Sequence, residues 1–460
     1  MKNILIAIRS IFKKGRHNVM KIVSLGIGLA VGLVLIAKVY FEQSYDDFYP
    51  DRDRVYQVWA KYQQNGGELK DYPQTSGGIA PTMQQQIPEI ETVTRYTSFG
   101  DWTFTMTDTK MKYSGRCIIA DSCFFDILPR PMLIGNAKEV LSTPMYVLIS
   151  SRIAKNIGGD VIGKNFTVDN SPGRTMTIGG VFEEVPENSH SRYDVIVSMA
   201  SAGRFMWEGS PTNMLGNDRY ISYVKLHKGV NPLALEEQVR TFVNSYFPPE
   251  EQQKVGLSID FSFHKLDNLH KELPQVKRMT WILSLLAFAL IFTAVMNYIL
   301  IVISSIVNRS KEVAVHKCYG ASENNIHGMM FGEALVHIVL SLILALLLIL
   351  AFRGTVEELL ATSLDSLLLS NGSLVLLGIC ILVFFVSGFM PGSLYARIPV
   401  ASAFRNYREN KRIWKKALLL VQFVATGFLV TMLVFVARQY TFMVNDRPGY
   451  AYENLAYCGL

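Results

Sequence analysis

Five long apolar runs divide the chain, at residues 22–41, 279–307, 328–352, 373–390 and 417–437. A hydrocarbon core about 30 Å thick is crossed by about 20 helical residues, so each run is long enough for a membrane span or close to it. The first carries one charge, Lys38, near its end. The second has 29 residues and no charge, and the third carries Glu333 and His337. The fourth is uncharged and is expected to stop at Pro391; the fifth is uncharged. Between the first two runs the pattern changes. Segments 111–121, 175–184, 194–199, 220–226 and 256–266 are rich in Ile, Val, Tyr and Thr with partial alternation, which predicts strands. Helices are expected at 81–86, with Pro81 in the first turn, at 144–157, and at 232–246. In the last of these, Leu233, Leu235, Val239, Phe242, Val243 and Tyr246 make one apolar face. The fold class is therefore a multi-span α-helical membrane protein. A large extracytoplasmic mixed α+β domain, in two lobes, lies between spans one and two.

Composition strengthens this picture and charge orients it. Only 18% of the 460 residues are charged and 50% are hydrophobic, against about 25% charged in soluble domains. The net charge of +7 lies beside the apolar runs and forms no aromatic-interleaved patch, which excludes nucleic acid as its reason. Segment 1–21 holds Lys2, Arg9, Lys13, Lys14, Arg16 and Lys21 with no acid, and 391–416 holds seven basic residues against Glu409. Segment 308–327 holds Arg309, Lys311 and Lys317 against Glu312 and Glu323. Loop 353–372 has Arg353 against Glu357, Glu358 and Asp365. The positive-inside rule then puts 1–21 (a basic amphipathic segment), 308–327 and the linker 391–416 in the cytoplasm, and 42–278, 353–372 and 438–460 outside. Lys38 falls at the outer interface, where it can snorkel. The first span reads as an uncleaved signal anchor, since it is too long for a signal peptide's apolar core and no small-x-small site follows. The second, about 44 Å at ~1.5 Å per residue, exceeds what the bilayer needs, so it tilts or projects as a stalk.

Candidate chemistry is sparse. Segment 158–165 fits GxxxxGK but ends in Asn165 where a P-loop needs Ser or Thr, and it reads as a turn between a helix and a strand at 166–168. His190, His264 and His270 show no metal-ligand spacing and read as isolated surface histidines. Ser189 precedes His190 without a GxSxG elbow. No metal, cofactor or catalytic residues are assigned. Cys117 and Cys123 either pair or stay as half-buried thiols. Glu333 and His337, spaced i, i+4, share a helix face and are candidates for a proton relay or for helix packing. Asn297 is expected to hydrogen-bond another helix. Residues 310–319 form a short amphipathic helix, with Val313, Val315 and Tyr319 apolar, and Gly320 and Ser322 are placed to end it and cap the next.

The run Arg309-Ser310-Lys311-Glu312-Val313-Ala314-Val315-His316-Lys317-Cys318-Tyr319-Gly320-Ala321-Ser322 resembles the signature of the MacB/FtsX-like family of ABC transporter permeases. His316 stands where Arg is more usual. Residues 42–58, 179–190 and 396–404 resemble further family segments at the exit of span one, in the outer domain and at the exit of span four. The resemblance implies a four-span permease unit that is not an enzyme and binds no cofactor, ATP being bound by a partner ATPase dimer. It makes 308–327 a coupling helix. Arg309, Lys311, Glu312, Val315, His316, Lys317, Gly320, Ala321 and Ser322 would dock on the ATPase. It further implies a bacterial inner-membrane location, a homodimer or second permease unit, a periplasmic adaptor, and efflux or extraction driven by mechanical transmission. Residues 405–460, with span five, resemble the opening of a second unit whose remainder is absent from the sequence. The competing expectation is a membrane-anchored receptor or sensor that binds a ligand outside. Nothing in the sequence selects the substrate.

Overall fold

A computed structural model describes residues 17–169, 171–368, 372–396 and 413–445. They fall into two compact units: Glu42–Lys277, and the helices that flank it in sequence.

The helical unit begins with α1, Asn18–Gln43. After the globular unit come α2 (Pro274–Ser304), α3 (Ile306–Cys318), α4 (Glu323–Ala351), α5 (Arg353–Leu360), α6 (Ser373–Ala396) and α7 (Ile413–Asn445). Five of them, α1, α2, α4, α6 and α7, are long and apolar enough to cross a membrane. They begin or end several residues beyond the apolar runs, because a helix continues wherever its backbone bonds are satisfied, inside hydrocarbon or not. In α6 the helix passes through Pro391 to Ala396 instead of stopping there. A proline inside a membrane bundle is tolerated when neighbouring groups re-satisfy the freed backbone carbonyl. The loop after α4 is itself helical, α5 being followed by Leu364–Leu368. Close helix approach explains Gly28 in α1, where an added Cβ would stand 2.2 Å from the Ala294 Cβ of α2. Segments 1–16, 397–412 and 446–460 lie outside the described residues, and with them most of the basic start, most of the 391–416 linker and the end of the last segment. They also take in most of the 396–404 family segment.

The globular unit is built on a single eleven-stranded sheet. Its strands are β1 (Val55–Gln64), β2 (Lys70–Tyr72), β3 (Ile90–Met106), β4 (Lys112–Ala120), β5 (Met132–Ile134) and β6 (Tyr146–Ser150). They continue with β7 (Asn165–Val168), β8 (Ser171–Phe182), β9 (Val195–Ser198), β10 (Ile221–Leu226) and β11 (Leu257–Lys265). The order is β11-β1-β10-β3-β4-β9-β6-β8-β5, with β2 added to β1 and β7 bridging β3 and β8. The sheet runs continuously through the domain. β3 serves both halves: its register to β4 slips between Ser98 and Asp101, a bulge that bends a 17-residue strand.

The expected helix at 144–157 is half wrong. Residues Tyr146–Ser150 are strand β6, and only Ser151–Ile157 is helical. The reason is burial on both faces. Val147 and Ile149 pack into one apolar cluster with Cys117, Ile119, Val195 and Val197, while Leu148 packs into another with Ile118 and Ile196. A strand covered on both sides loses its alternation and reads as an unbroken apolar run. A third cluster joins Val58, Val93, Val224 and Phe261 to Val239 and Phe242 of the helix Glu236–Tyr246.

Candidate functional site

The chain leaves α1 and turns at once into the globular unit, and the residues of that turn carry charge. Asp46 sits at the centre. It is fully buried and holds a left-handed backbone at φ +59°, a conformation that Asp tolerates better than most residues. Its N–H donates to Asn188 O at 2.9 Å. Its carboxylate accepts from Ser189 Oγ at 2.9 Å and from the His190 N–H at 3.3 Å, and it lies 2.6 Å from His190 Nδ1. The far nitrogen, His190 Nε2, lies 2.5 Å from the Tyr223 hydroxyl on β10. Burial holds the Tyr223 phenol well above its ordinary pKa, and the nearby Tyr96 and Asp46 add to the effect. The phenol therefore keeps its proton, and the imidazole bridges the Tyr223 hydroxyl and the Asp46 carboxylate. Asn188 Nδ2 closes the ring by donating to Ser44 O at 2.7 Å. Next to it Tyr96, its phenol pushed up to about 12 by burial, shares a hydrogen bond with Ser191.

The same turn also reaches the stretch that leads into α2. Glu42 Oε2 lies 2.6 Å from His270 Nε2, and the Tyr45 ring stacks on the His270 ring with centroids 3.4 Å apart. Lys271 Nζ donates to Asp267 at 2.8 Å and to Asp47 at 3.2 Å. Arg52 pairs with both of those carboxylates, at 3.7 Å and 3.5 Å. Burial pulls the Lys271 ammonium down, but the hydrogen bond to Asp267 and the charge of Asp47 outweigh it and hold the group above its ordinary pKa. These contacts make a polar junction. Two chain segments, one just after α1 and one just before α2, are tied to each other and to the 186–191 loop.

The junction corrects the reading of the histidines as isolated. His190 and His270 are its hinges, and His264 stacks on Trp59 with centroids 4.2 Å apart. It is not a hydrolytic triad, since Ser189 Oγ bonds Asp46 Oδ1 and Ser191 O and has no bond to the imidazole. Cys117 and Cys123 are free thiols: Cys117 is buried, and Cys123 Sγ points at Val93 O. Burial pushes both thiols up, which makes them poor nucleophiles. The GxxxxGK-like segment is a turn between the helix Ser151–Ile157 and β7, with Gly158, Gly159 and Gly163 at positive φ. Among the described residues no cluster of His, Cys, Asp and Glu has the makings of a metal site.

In the helical unit, Glu333 and His337 of α4 are both buried. Glu333 pairs with Lys21 at 3.6 Å, and His337 Nδ1 lies 3.2 Å from the Tyr298 hydroxyl of α2. Lys21 is therefore a fully buried ion-pair member that also donates to Asn18, not a cytoplasmic surface charge. Lys38 does not snorkel. It is buried, donates to Thr362 Oγ1 at 2.8 Å and lies over the Phe41 ring at 5.0 Å. Asn297 accepts from Gln422 Nε2 of α7.

The segment after α2 breaks at Ser305 and restarts as α3. The expected apolar face divides. Val313 and Ala314 enter the apolar core of the helical unit together with Ile326 and Met330, whereas Val315 and Tyr319 are exposed beside Lys311, His316 and Cys318. Glu312, Lys317 and Ala321 are half-buried, and the Arg309 side chain lies outside the described residues. α3 ends in a Schellman motif. Gly320 at φ +84° donates to Lys317 O at 3.0 Å, and Ala321 N donates to His316 O at 3.0 Å. Ser322 then caps α4, accepting from Asn325 N.

Two family models match the chain: the MacB-like periplasmic core domain over residues 20–242 and the FtsX-like permease C-terminal domain over residues 284–400. The similar solved structures include three that bear on the globular unit. One is a domain assigned to a permease protein of Porphyromonas gingivalis, at 33% identity, covering 47% of this chain and 91% of that one, with a TM-score of 0.44. Another is the periplasmic region of MacB from Actinobacillus actinomycetemcomitans, at 14% identity, 48% and 91% coverage and a TM-score of 0.32. A third is the extracellular domain of the noncanonic ABC-type transporter YknZ from Gram-positive bacteria, at 11% identity, 45% and 98% coverage and a TM-score of 0.32. A search of curated protein sequences found no match. The two family matches run from residue 20 to residue 242 and from residue 284 to residue 400; they take in most of α1, the globular unit as far as residue 242, most of α2, and α3 to α6. The chain belongs to the MacB/FtsX-like family of ABC transporter permeases.

Proposed function

We propose that this permease subunit is a mechanical transmitter. A separate cytoplasmic ATPase dimer binds and hydrolyses ATP, α3 docks on it through Lys311, Val315, His316 and Tyr319, and α1 and α2 carry the motion to the extracytoplasmic domain. That domain then exports a substrate or extracts it from the membrane. In this reading the N-terminus and α3 face the cytoplasm of a bacterial inner membrane. A second copy or second permease unit completes the transporter, a periplasmic adaptor extends it, and no step of catalysis occurs in this chain.

The polar junction carries the proposal. The last turn of α1 and the lead into α2 share Glu42–His270 and Asp47–Lys271 contacts, so the outer ends of these helices are constrained to move together. The buried Asp46–His190–Tyr223 chain passes that movement to the sheet through β10. Charged contacts that tie two chain segments together suit force transmission, and a ligand receptor has no need of them.

The test uses the full chain co-purified with its ATPase. Asp46→Ala is expected to leave ATP hydrolysis intact and to abolish ATP-dependent changes in hydrogen exchange within residues 42–277. A disulfide-forming reagent at Cys318 should crosslink the chain to the ATPase. Persistence of the exchange changes in the variant, or failure of any ATPase to co-purify or crosslink, would sink the proposal.

A further inference from the structure

β11 is the end strand of the sheet, so among the described residues one of its backbone edges faces no other strand. Part of that edge is closed. The Ile259 N–H donates to Gln252 Oε1 at 2.9 Å, and the Phe261 N–H donates to Asp260 Oδ1 at 2.8 Å. Backbone groups alternate in direction along a strand, so the Phe263 and Lys265 N–H groups point the same way. Neither has a hydrogen-bond partner among the described residues. Natural edges of this kind are normally covered or blocked, as the first half of this one is.

The open half adjoins a cleft of about 430 Å³ whose walls include Tyr56, Trp59, Phe263, His264, Leu269 and Leu273. The cleft is aromatic and aliphatic on its walls, with Lys265 and Glu272 also lining it. Two outward donors spaced two residues apart, beside a recess of side-chain size, fit the two-part logic of strand addition. The backbone gives affinity and the recess gives selectivity.

We propose that Phe263–Lys265 and this cleft form a strand-addition site for a short extended segment of a partner polypeptide outside the cytoplasm. One aromatic or aliphatic side chain of that segment would fill the cleft. The length of the opening decides the occupant. The side-chain caps at Ile259 and Phe261 close it on one side and the turn Leu266–Asn268 closes it on the other. A second copy offering its nine-residue β11 would run into the Asp260 and Gln252 side chains, whereas a peptide of three to five residues, on the order of 3.3 Å each, would not. The inference does not depend on force transmission and holds or fails separately.

The experiment measures fluorescence anisotropy of labelled acetyl-Thr-Xaa-Thr-Xaa-Thr-amide peptides, with Xaa as Val, Leu, Phe, Tyr or Trp, against the full chain in detergent. At least one peptide should bind saturably. N-methylation of its alternate amides, tested on the unaltered protein, should weaken binding ~10-fold or more, as loss of one or two backbone hydrogen bonds predicts. Phe263→Pro, which removes an outward N–H at an edge position where proline is tolerated, should do the same. Asp260→Ala, which uncovers the Phe261 N–H, should hold or tighten binding. The proposal is overturned by lack of saturable binding across the panel, by equal binding of the N-methylated peptide, or by weakening in Asp260→Ala. Self-association of the chain that Phe263→Pro abolishes would also overturn it and give the edge to a second copy.

Discussion

The two units of this permease bury opposite things. In the extracytoplasmic domain the interior is apolar: Val147, Leu148 and Ile149 are wholly covered, and charge is mostly left to the surface. In the membrane unit the large apolar side chains face outward, with Trp281 78% and Phe423 73% exposed, while Lys21 and His337 are completely covered. The physics is the same and the solvent differs. Apolar surface gains by leaving water and gains nothing by leaving lipid, so the membrane unit is held by close packing such as Gly28 on Ala294 and by polar pairs. Each unit also has one exception that shows what the rule allows. Asp46 is a buried carboxyl group inside the extracytoplasmic domain, bonded to hydroxyl, amide and imidazole groups. Lys21–Glu333 is a buried ion pair among the apolar helices.

Removing a partner from each exception ranks them. Glu333→Ala leaves the Lys21 ammonium without its carboxylate in the membrane unit and should have the largest effect, about 3–5 kcal/mol. Unfolding by SDS titration in mixed micelles would measure it, and the double variant Lys21→Met with Glu333→Leu should recover most of the loss. If Glu333→Ala unfolds like the parent, polar pairs do not hold the membrane unit. Asp46→Ala should cost about 3 kcal/mol, because several donors to a charged acceptor go unanswered at once. Asp46→Asn should cost less, since it keeps one oxygen and tolerates the left-handed backbone. The loss should appear as faster hydrogen exchange at residues 188–191 and 223, with the membrane helices unaffected. Exchange that rises equally in both units would mean that the junction is not a local joint.

The two units were also unequally legible in the sequence. The membrane spans are visible because each is a contiguous run of apolar residues, and one local window contains the whole signal. Even so, the environment of single charges is hidden. Lys21 counts as a cytoplasmic charge by position, and Lys38 as a snorkelling one, because what buries them belongs to distant segments that bring Glu333 and Thr362. In the domain, edge and half-exposed strands such as β11 show alternation, whereas β6 is covered on both faces and so imitates a helix. The 17-residue β3 escaped because its alternation is broken at the bulge after Ser98. The junction itself was half visible. Asp46 and Ser189-His190 both lie in stretches that resemble the family, but the bond between them joins residues 144 apart, and no local pattern encodes such a pairing. α3 was found through its motif, and the split of its apolar face between Val313 inside and Val315 and Tyr319 outside appears only once the neighbouring helices are in place.

Smaller effects sharpen the contrast at the surfaces of the two units. Gly320→Ala places a side chain at φ +84° with no atom within 4 Å of the new Cβ. The cost is then conformational alone, about 1 kcal/mol. The membrane core should be unchanged, but the end of α3 should loosen, and faster thiol labelling at Cys318 measures that directly. Unchanged labelling would show that the Schellman turn is not what fixes the end of α3.

The weakest and most specific prediction concerns acid. On the domain surface Lys225 and Arg54 hold the Asp51 carboxyl below its ordinary range, and the hydrogen bond from Arg54 does the same for Glu91. Groups with a lowered folded pKa stabilise the protein above the unfolded carboxylate values of about 4, and lose that contribution as pH falls through their folded values. Both are solvent-exposed, so their joint contribution stays below about 1 kcal/mol. Asp121 works in the opposite sense. Burial raises its pKa more than the Arg95 charge and hydrogen bonds lower it, so its ionised form opposes folding at neutral pH and acid relieves that opposition. The stability difference between the parent and Glu91→Gln should therefore shrink between about pH 5 and pH 3, whereas that between the parent and Asp121→Asn should change in the other direction. Thermal melts of the full chain in detergent, followed by tryptophan fluorescence across this range, measure both. Two differences that stay constant with pH would mean that neither the Asp51–Glu91 surface network nor the half-buried Asp121–Arg95 pair is linked to folding.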